Sequence, residues 1–177
     1  SLLAADLDGD GRDDLVTGSN GGGVSVHIAS GGSFRAPKDY WVGGLPDPLL
    51  AVDLDGDGRP ELVAATRFAG QVVVLRNAGD GSFKVGPSID SSGDPSGLAT
   101  GDLDGDGRSD LVVVDHARGE ARVLLARGNG FQHLEEVKVG LGAFAPAVCD
   151  LDRDGRSDLL VAVAGSARKS LAVLLSR

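Results

Sequence analysis

Asp6, Asp8, Asp10 and Asp14 occupy the first, third, fifth and ninth positions of the stretch DLDGDGRDDL. Carboxylates this close in a tight turn repel and raise one another's pKa, so such a loop calls for a cation. The same pattern returns as Asp53, Asp55, Asp57 and Glu61, as Asp102, Asp104, Asp106 and Asp110, and as Asp150, Asp152, Asp154 and Asp158. Hard oxygen donors with no His or Cys inside the loops select Ca²⁺ or Mg²⁺ over zinc or copper, and a large, flexible coordination sphere favours Ca²⁺. Each loop is therefore predicted to hold one calcium, about four in all. The four acidic side chains would be joined by the position-seven carbonyl, from Arg12, Arg59, Arg108 and Arg156. Gly11, Gly58, Gly107 and Gly155 hold position six, where a sharp turn needs a backbone conformation that side chains resist.

An EF-hand begins in the same way but needs a Glu at position twelve and flanking helices. Position twelve here is Thr17, Ala64, Val113 and Val161. The ninth-position acid closes the loop instead, directly before an apolar segment beginning LV or LL, which places the loop inside a β-hairpin.

The first aspartates are 47, 49 and 48 residues apart, a period that marks an array of like supersecondary units. Between loops the apolar residues alternate at period two, as in Val24, Val26 and Ile28, and no helical period is sustained. Glycine turns such as GGSF (31–34) and GDGSF (79–83) link the strands. The prediction is all-β: about fifteen strands in four-stranded antiparallel units, the β-propeller blade, with repeats at about 1–46, 47–95, 96–143 and 144–177 forming one propeller segment. The fourth repeat supplies three strands. The chain also has no Met and no basic-then-apolar leader. It is thus expected to be an excised piece whose ring is completed by further blades or by self-association.

The residues GLATGDLDGDGRSDLVVV (97–114), with LRNAGDGSF (75–83), resemble FG-GAP/VCBS repeats, the calcium-loop propeller blades of integrin α-subunits and many bacterial secreted proteins. The resemblance spans nearly the whole chain. It implies calcium at the loops, an extracellular or cell-surface setting and a ring of about seven blades. Arg153 departs from the pattern, standing where the other loops have glycine at position four.

The net charge of −9 is concentrated in the loops, whose first, third, fifth and ninth positions hold 16 of the 26 acidic residues, and four divalent cations would bring it to −1. A scattered set of 17 basic residues argues against nucleic acid as a partner. No apolar run is long enough to cross a bilayer as a helix, which argues against membrane insertion.

His27, His116 and His133 fall at different points of their repeats and are read as surface residues, and Cys149 as a buried small hydrophobe. Phe34, Phe83 and Phe131 recur after the hairpin turn, which argues for core. Tyr40 and Trp41 are read as blade packing or an edge contact rather than a sugar site. With no nucleophile and base to place together, the chain is expected to be a non-enzymatic scaffold whose calcium is structural and whose ligand is a protein or carbohydrate. The alternative is a propeller domain of a calcium-dependent, lyase-like polysaccharide-degrading enzyme.

Overall fold

The computed structural model describes residues 1–91, 93–128, 130–164 and 169–175, and the chain forms two compact units, Ser1–Ser92 and Gly93–Arg177. All regular structure among the described residues is β.

In the first unit the chain runs through β1 (Leu2–Ala5), β2 (Asp14–Gly18) and β3 (Gly23–His27), then a small hairpin of β4 (Ala29–Ser30) and β5 (Ser33–Phe34), then β6 (Lys38–Trp41). Strands β1, β2, β3 and β6 make one antiparallel sheet in that order. The next four strands are β7 (Leu45–Val52), β8 (Glu61–Arg67), β9 (Gln71–Asn77) and β10 (Phe83–Asp90), paired in chain order into a second sheet. The second unit repeats the plan. Strands β11 (Pro95–Gly101), β12 (Asp110–Asp115), β13 (Glu120–Arg127) and β14 (Gly130–Lys138) form a four-stranded sheet. Strands β15 (Ala143–Cys149), β16 (Asp158–Ala164) and β17 (Lys169–Leu174) form a three-stranded one. The fifteen strands of these four sheets match the sequence expectation, and the β4–β5 hairpin adds two that the sequence did not indicate.

Each acidic loop joins the first two strands of its sheet. In the two middle sheets the second strand, β8 and β12, runs away from the loop with nearly every residue inaccessible. A strand covered on both faces reads as a continuous apolar run rather than an alternating one, and LVAAT and LVVV are such runs. Small and β-branched side chains fill the space between sheets. In the first unit that core joins Leu7, Val16, Val24, Leu62, Val73 and Leu75; in the second, Val112, Val114, Leu159 and Val161.

Two packing expectations are corrected. Cys149 is exposed rather than buried: its neighbour Val148 points at Gly101 of β11, so strand alternation turns the thiol outward. Of the three recurring phenylalanines only Phe83 is a buried core residue; Phe131 is half-buried and Phe34 exposed. Phe34 sits on the added β4–β5 hairpin, so its place after a glycine turn does not put it where Phe83 lies. Tyr40 packs edge-on against Phe83, ring centroids 5.9 Å apart, and its hydroxyl accepts the Phe83 amide proton at 2.9 Å. Tyr40 is thus blade packing, whereas Trp41, its neighbour, is 69% exposed.

Candidate metal centres

The four loops share one backbone scaffold. The position-one carboxylate turns inward and accepts the amides of positions four and six: Asp6 from Gly9 and Gly11, each at 2.8 Å; Asp53 from Gly56 and Gly58; Asp102 from Gly105 and Gly107; Asp150 from Arg153 and Gly155. The position-five acid accepts the amide of the position-seven arginine, from Arg12 to Asp10, Arg59 to Asp57, Arg108 to Asp106 and Arg156 to Asp154, at 2.9–3.0 Å. Both contacts hold the turn while leaving further lone pairs on each carboxylate. The position-six glycines have φ of +81 to +89°, the left-handed region.

This scaffold brings acidic oxygens together. One oxygen each of Asp6, Asp8 and Asp10, and likewise of Asp53, Asp55 and Asp57, lies within 4.8 Å of the others. In the third and fourth loops the groups so gathered are Asp102, Asp104 and Asp110, and Asp150, Asp152 and Asp158. The ninth-position acid thus joins the convergent set in two loops, and the position-five acid in the other two.

The ninth-position acids are almost inaccessible, from 0% exposure for Asp14 and Asp110 to 2% for Glu61. They also do something the sequence did not reveal. Asp14 accepts the Leu7 amide at 2.9 Å and the Ala29 amide at 2.7 Å, and Asp110 accepts those of Leu103 and Ala126 at 2.9 and 2.8 Å. Glu61 takes the Leu54 amide and Asp158 the Leu151 amide. Each carboxylate fastens the start of its loop, and Asp14, Glu61 and Asp110 also reach the end of the third strand or the segment beyond it. Burial pushes the carboxyls of Glu61 and Asp110 above their usual range.

Counter-charges around the loops differ. The Arg12 guanidinium hydrogen-bonds Asp10 and holds its carboxyl below the usual carboxylate range, and Arg108 does the same for Asp106. Arg127 adds ion pairs to Asp104 and to Asp106, the latter at 2.8 Å. Arg76 lies 3.6 Å from Asp55 and 3.8 Å from Glu61. In the first unit Asn77 ties the two loops, its side-chain amide donating to the Leu7 carbonyl at 2.9 Å and the Pro60 carbonyl at 3.0 Å. Asn77 lies in the LRNAGDGSF stretch, but its partner 70 residues away is not legible from one sequence.

The residues fit a hard divalent cation. The donors are all oxygen, and in the first loop Asp8 Oδ1 is buried with no hydrogen-bond partner. A buried, unpartnered carboxylate oxygen is costly, and a cation beside it removes the cost.

Blades of three or four antiparallel strands, each opening on an acidic oxygen-donor loop, define a β-propeller-type repeat protein. The sequence matches the FG-GAP-like repeat over residues 6–64, 53–113 and 102–161, and the chain belongs to that family. No curated protein matches it significantly. Among solved structures it is similar to an Agrocybe aegerita lectin recognising non-reducing terminal N-acetylglucosamine (TM-score 0.64, 23% identity, 100% of this chain and 52% of that one). It is similar also to BBS1N in complex with ARL6DN (0.65, 15%, 98% and 56%). A third likeness is to the Photorhabdus luminescens Tc holotoxin pore (0.55, 24%, 97% and 9%). At these identities the likeness is one of fold, and the chain spans about half the length of the first two.

Proposed function

We propose that this chain is a calcium-binding propeller module of a secreted or cell-surface protein, non-enzymatic, with one structural calcium per loop and a protein or glycan as its ligand. The observation that carries the reading is the four-fold recurrence of convergent acidic oxygens on one hydrogen-bonded scaffold, with the unpartnered Asp8 oxygen in the first loop. The side chains at positions one, three, five and nine would hold the ion together with the position-seven carbonyl. Calcium would supply charge neutralisation there and nothing beyond it. A site at the same place in every blade suits a staple of the fold better than a single centre of reaction.

The test is thermal unfolding with calcium and with excess EGTA. At about a hundredfold above Kd each ion adds ~2.7 kcal/mol, so a unit with two loops gains ~5 kcal/mol. At ~4–8 °C per kcal/mol, chelation is expected to lower the transition by about 20 °C or more. A transition that EGTA leaves in place would remove structural calcium from the account.

A further inference from the structure

The end of the first unit opposite its acidic loops carries a second feature that the calcium reading does not use. The β2–β3 turn, the β6–β7 connection and the β8–β9 turn enclose an open cleft of about 610 Å³, lined among others by Asn20, Gly22, Trp41, Gly44, Arg67 and Phe68. That volume lies in the roughly 300–1,000 Å³ span of small-ligand sites. Two large aromatic rings stand at it almost uncovered, Trp41 at 69% and Phe68 at 86% exposure.

Neither ring is there by default. Trp41 lies so close over Gly22 that a Cβ on that glycine would meet ring atoms at 2.8 Å, so backbone braces the indole while much of its surface stays in water. Gly44 sits likewise against the β8–β9 turn, where a Cβ would meet Ala69 at 3.0 Å and the Arg67 carbonyl at 3.2 Å. Phe68 has φ of +67°, a conformation unfavourable for an aromatic L-residue, and strain of this kind gathers at functional sites. The corresponding β12–β13 turn of the second unit is closed by the same kind of hydrogen bond, Gly119 to Asp115 as Gly70 to Thr66, yet carries Ala117 at the place of Phe68. The rings are therefore not required by the turn.

We propose that this cleft binds a short neutral glycan, with the faces of Trp41 and Phe68 as platforms for pyranose rings. The proposal rests on the scaffold reading above and names its ligand class and site. Sugars present an apolar face of C–H groups rimmed by hydroxyls, and the cleft answers both. It offers two exposed rings, the Asn20 amide, the guanidinium of Arg67, its carbon 6.0 Å from the Phe68 ring centroid, and the peptide groups of a glycine-rich floor. A single arginine is too little positive charge for a polyanion. A protein interface would need some twenty to thirty residues a side, whereas ten residues line this cleft, four of them glycines.

Trp41 is the chain's one tryptophan, so its emission reports on the cleft directly. The experiment titrates the calcium-loaded chain with trisaccharides of N-acetylglucosamine, mannose, glucose and galactose, reading Trp emission and acrylamide quenching, with calorimetry for affinity. At least one sugar is expected to blue-shift and protect Trp41 with sub-millimolar Kd. Phe68→Ala should weaken binding at least tenfold, Trp41→Ala should abolish it and Trp41→Phe should restore part of it. Phe68→Gly, which suits the left-handed backbone, should fold normally and lose binding as Phe68→Ala does. No response to any sugar in a chain that melts later with calcium overturns the cleft and leaves the calcium scaffold standing. Sugar binding unchanged in both aromatic variants overturns it too. A chain indifferent to calcium sinks the scaffold reading instead. Capture on an immobilised glycoprotein that persists equally after enzymatic deglycosylation would assign the cleft to protein and overturn the glycan.

Discussion

Each acidic loop has a buried base and an exposed rim, and the two are built on different terms. At the base stands the ninth-position acid, accepting backbone amides in all four loops at exposures of 0–2%. At the rim the position-five acid is exposed in all four, and its charged neighbours change from loop to loop. Arg12 serves the first loop, and Arg108 with Arg127 the third. A polar group at the base has no water to fall back on, so its partners are fixed by the fold. A rim carboxylate exchanges protein partners for solvent at little cost, which leaves it free to serve a cation. The base is therefore held by the fold with or without a cation, even where its acid also joins the convergent set, and the rim is held by little else.

The strongest way to break this distinction is to remove one acid of each kind. Asp110→Ala strips the partners from the Leu103 and Ala126 amides, the second of them buried. It is expected to cost about 1–3 kcal/mol, the penalty for the one buried amide left unsatisfied. Urea unfolding should show that loss in full in EGTA, and a larger one in calcium because Asp110 also belongs to the convergent set. Asp106→Ala, at the rim of the same loop, should destabilise the chain in calcium and change little in EGTA. A loss at Asp110 that appeared only in calcium would make base and rim one site and end the comparison.

Rim and base differed in legibility as well. The repeat spacing, the acids at positions one, three, five and nine, and the glycines at position six are all local, and so was the alternation that gave fifteen strands. The duty of the ninth-position acid is not local, because its second partner lies 15 or 16 residues on, beyond the third strand of the first loop's sheet and at the end of the third strand in the third loop's. The sequence read Asp14 only as a ligand because nothing in DLDGDGRDDL mentions Ala29. The same limit hid the exposure of Cys149, decided by which face of β15 meets Gly101, and that of Phe34, decided by a hairpin with no counterpart among the described residues of the other repeats. Phe68 left no periodic trace, since one aromatic in a turn looks like any other; its positive φ singles it out only in three dimensions.

A gentler probe acts on the rim's charge. Arg127 bridges Asp104 and Asp106 in the third loop, where a cation would compete with it. Its side chain is 37% exposed, so solvent screening leaves the ion pairs worth little to stability. Arg127→Ala should leave unfolding in EGTA nearly unmoved. Removing a positive charge beside the site should tighten calcium at the third loop by about threefold to tenfold. Amide resonances of residues 102–110 followed through a calcium titration would read that loop alone. Unchanged or weakened affinity would mean that Arg127 helps the loop to bind rather than competing with its ion.

The smallest effect separates backbone from charge at the rim. Position four is glycine in three loops, with φ of +78° at Gly9, +79° at Gly56 and +77° at Gly105, and Arg153 in the fourth takes φ of +64°. A Cβ at any of those glycines would meet nothing within 4 Å, so space is no obstacle and the left-handed backbone alone carries the cost. That cost is about 1–2 kcal/mol for an L-residue, against up to ~1 kcal/mol for the extra freedom glycine brings to the unfolded chain. Arg153→Gly should therefore stabilise the second unit by about 0.5–1 kcal/mol in EGTA, a rise of a few degrees in its melting transition. Gly105→Ala should lower it by a similar amount. Calcium should enlarge the Arg153→Gly gain, because the variant also removes a positive charge from the loop. If Arg153→Gly instead lowered stability in EGTA, the rim of the fourth loop would be held by its arginine side chain and would behave as a base.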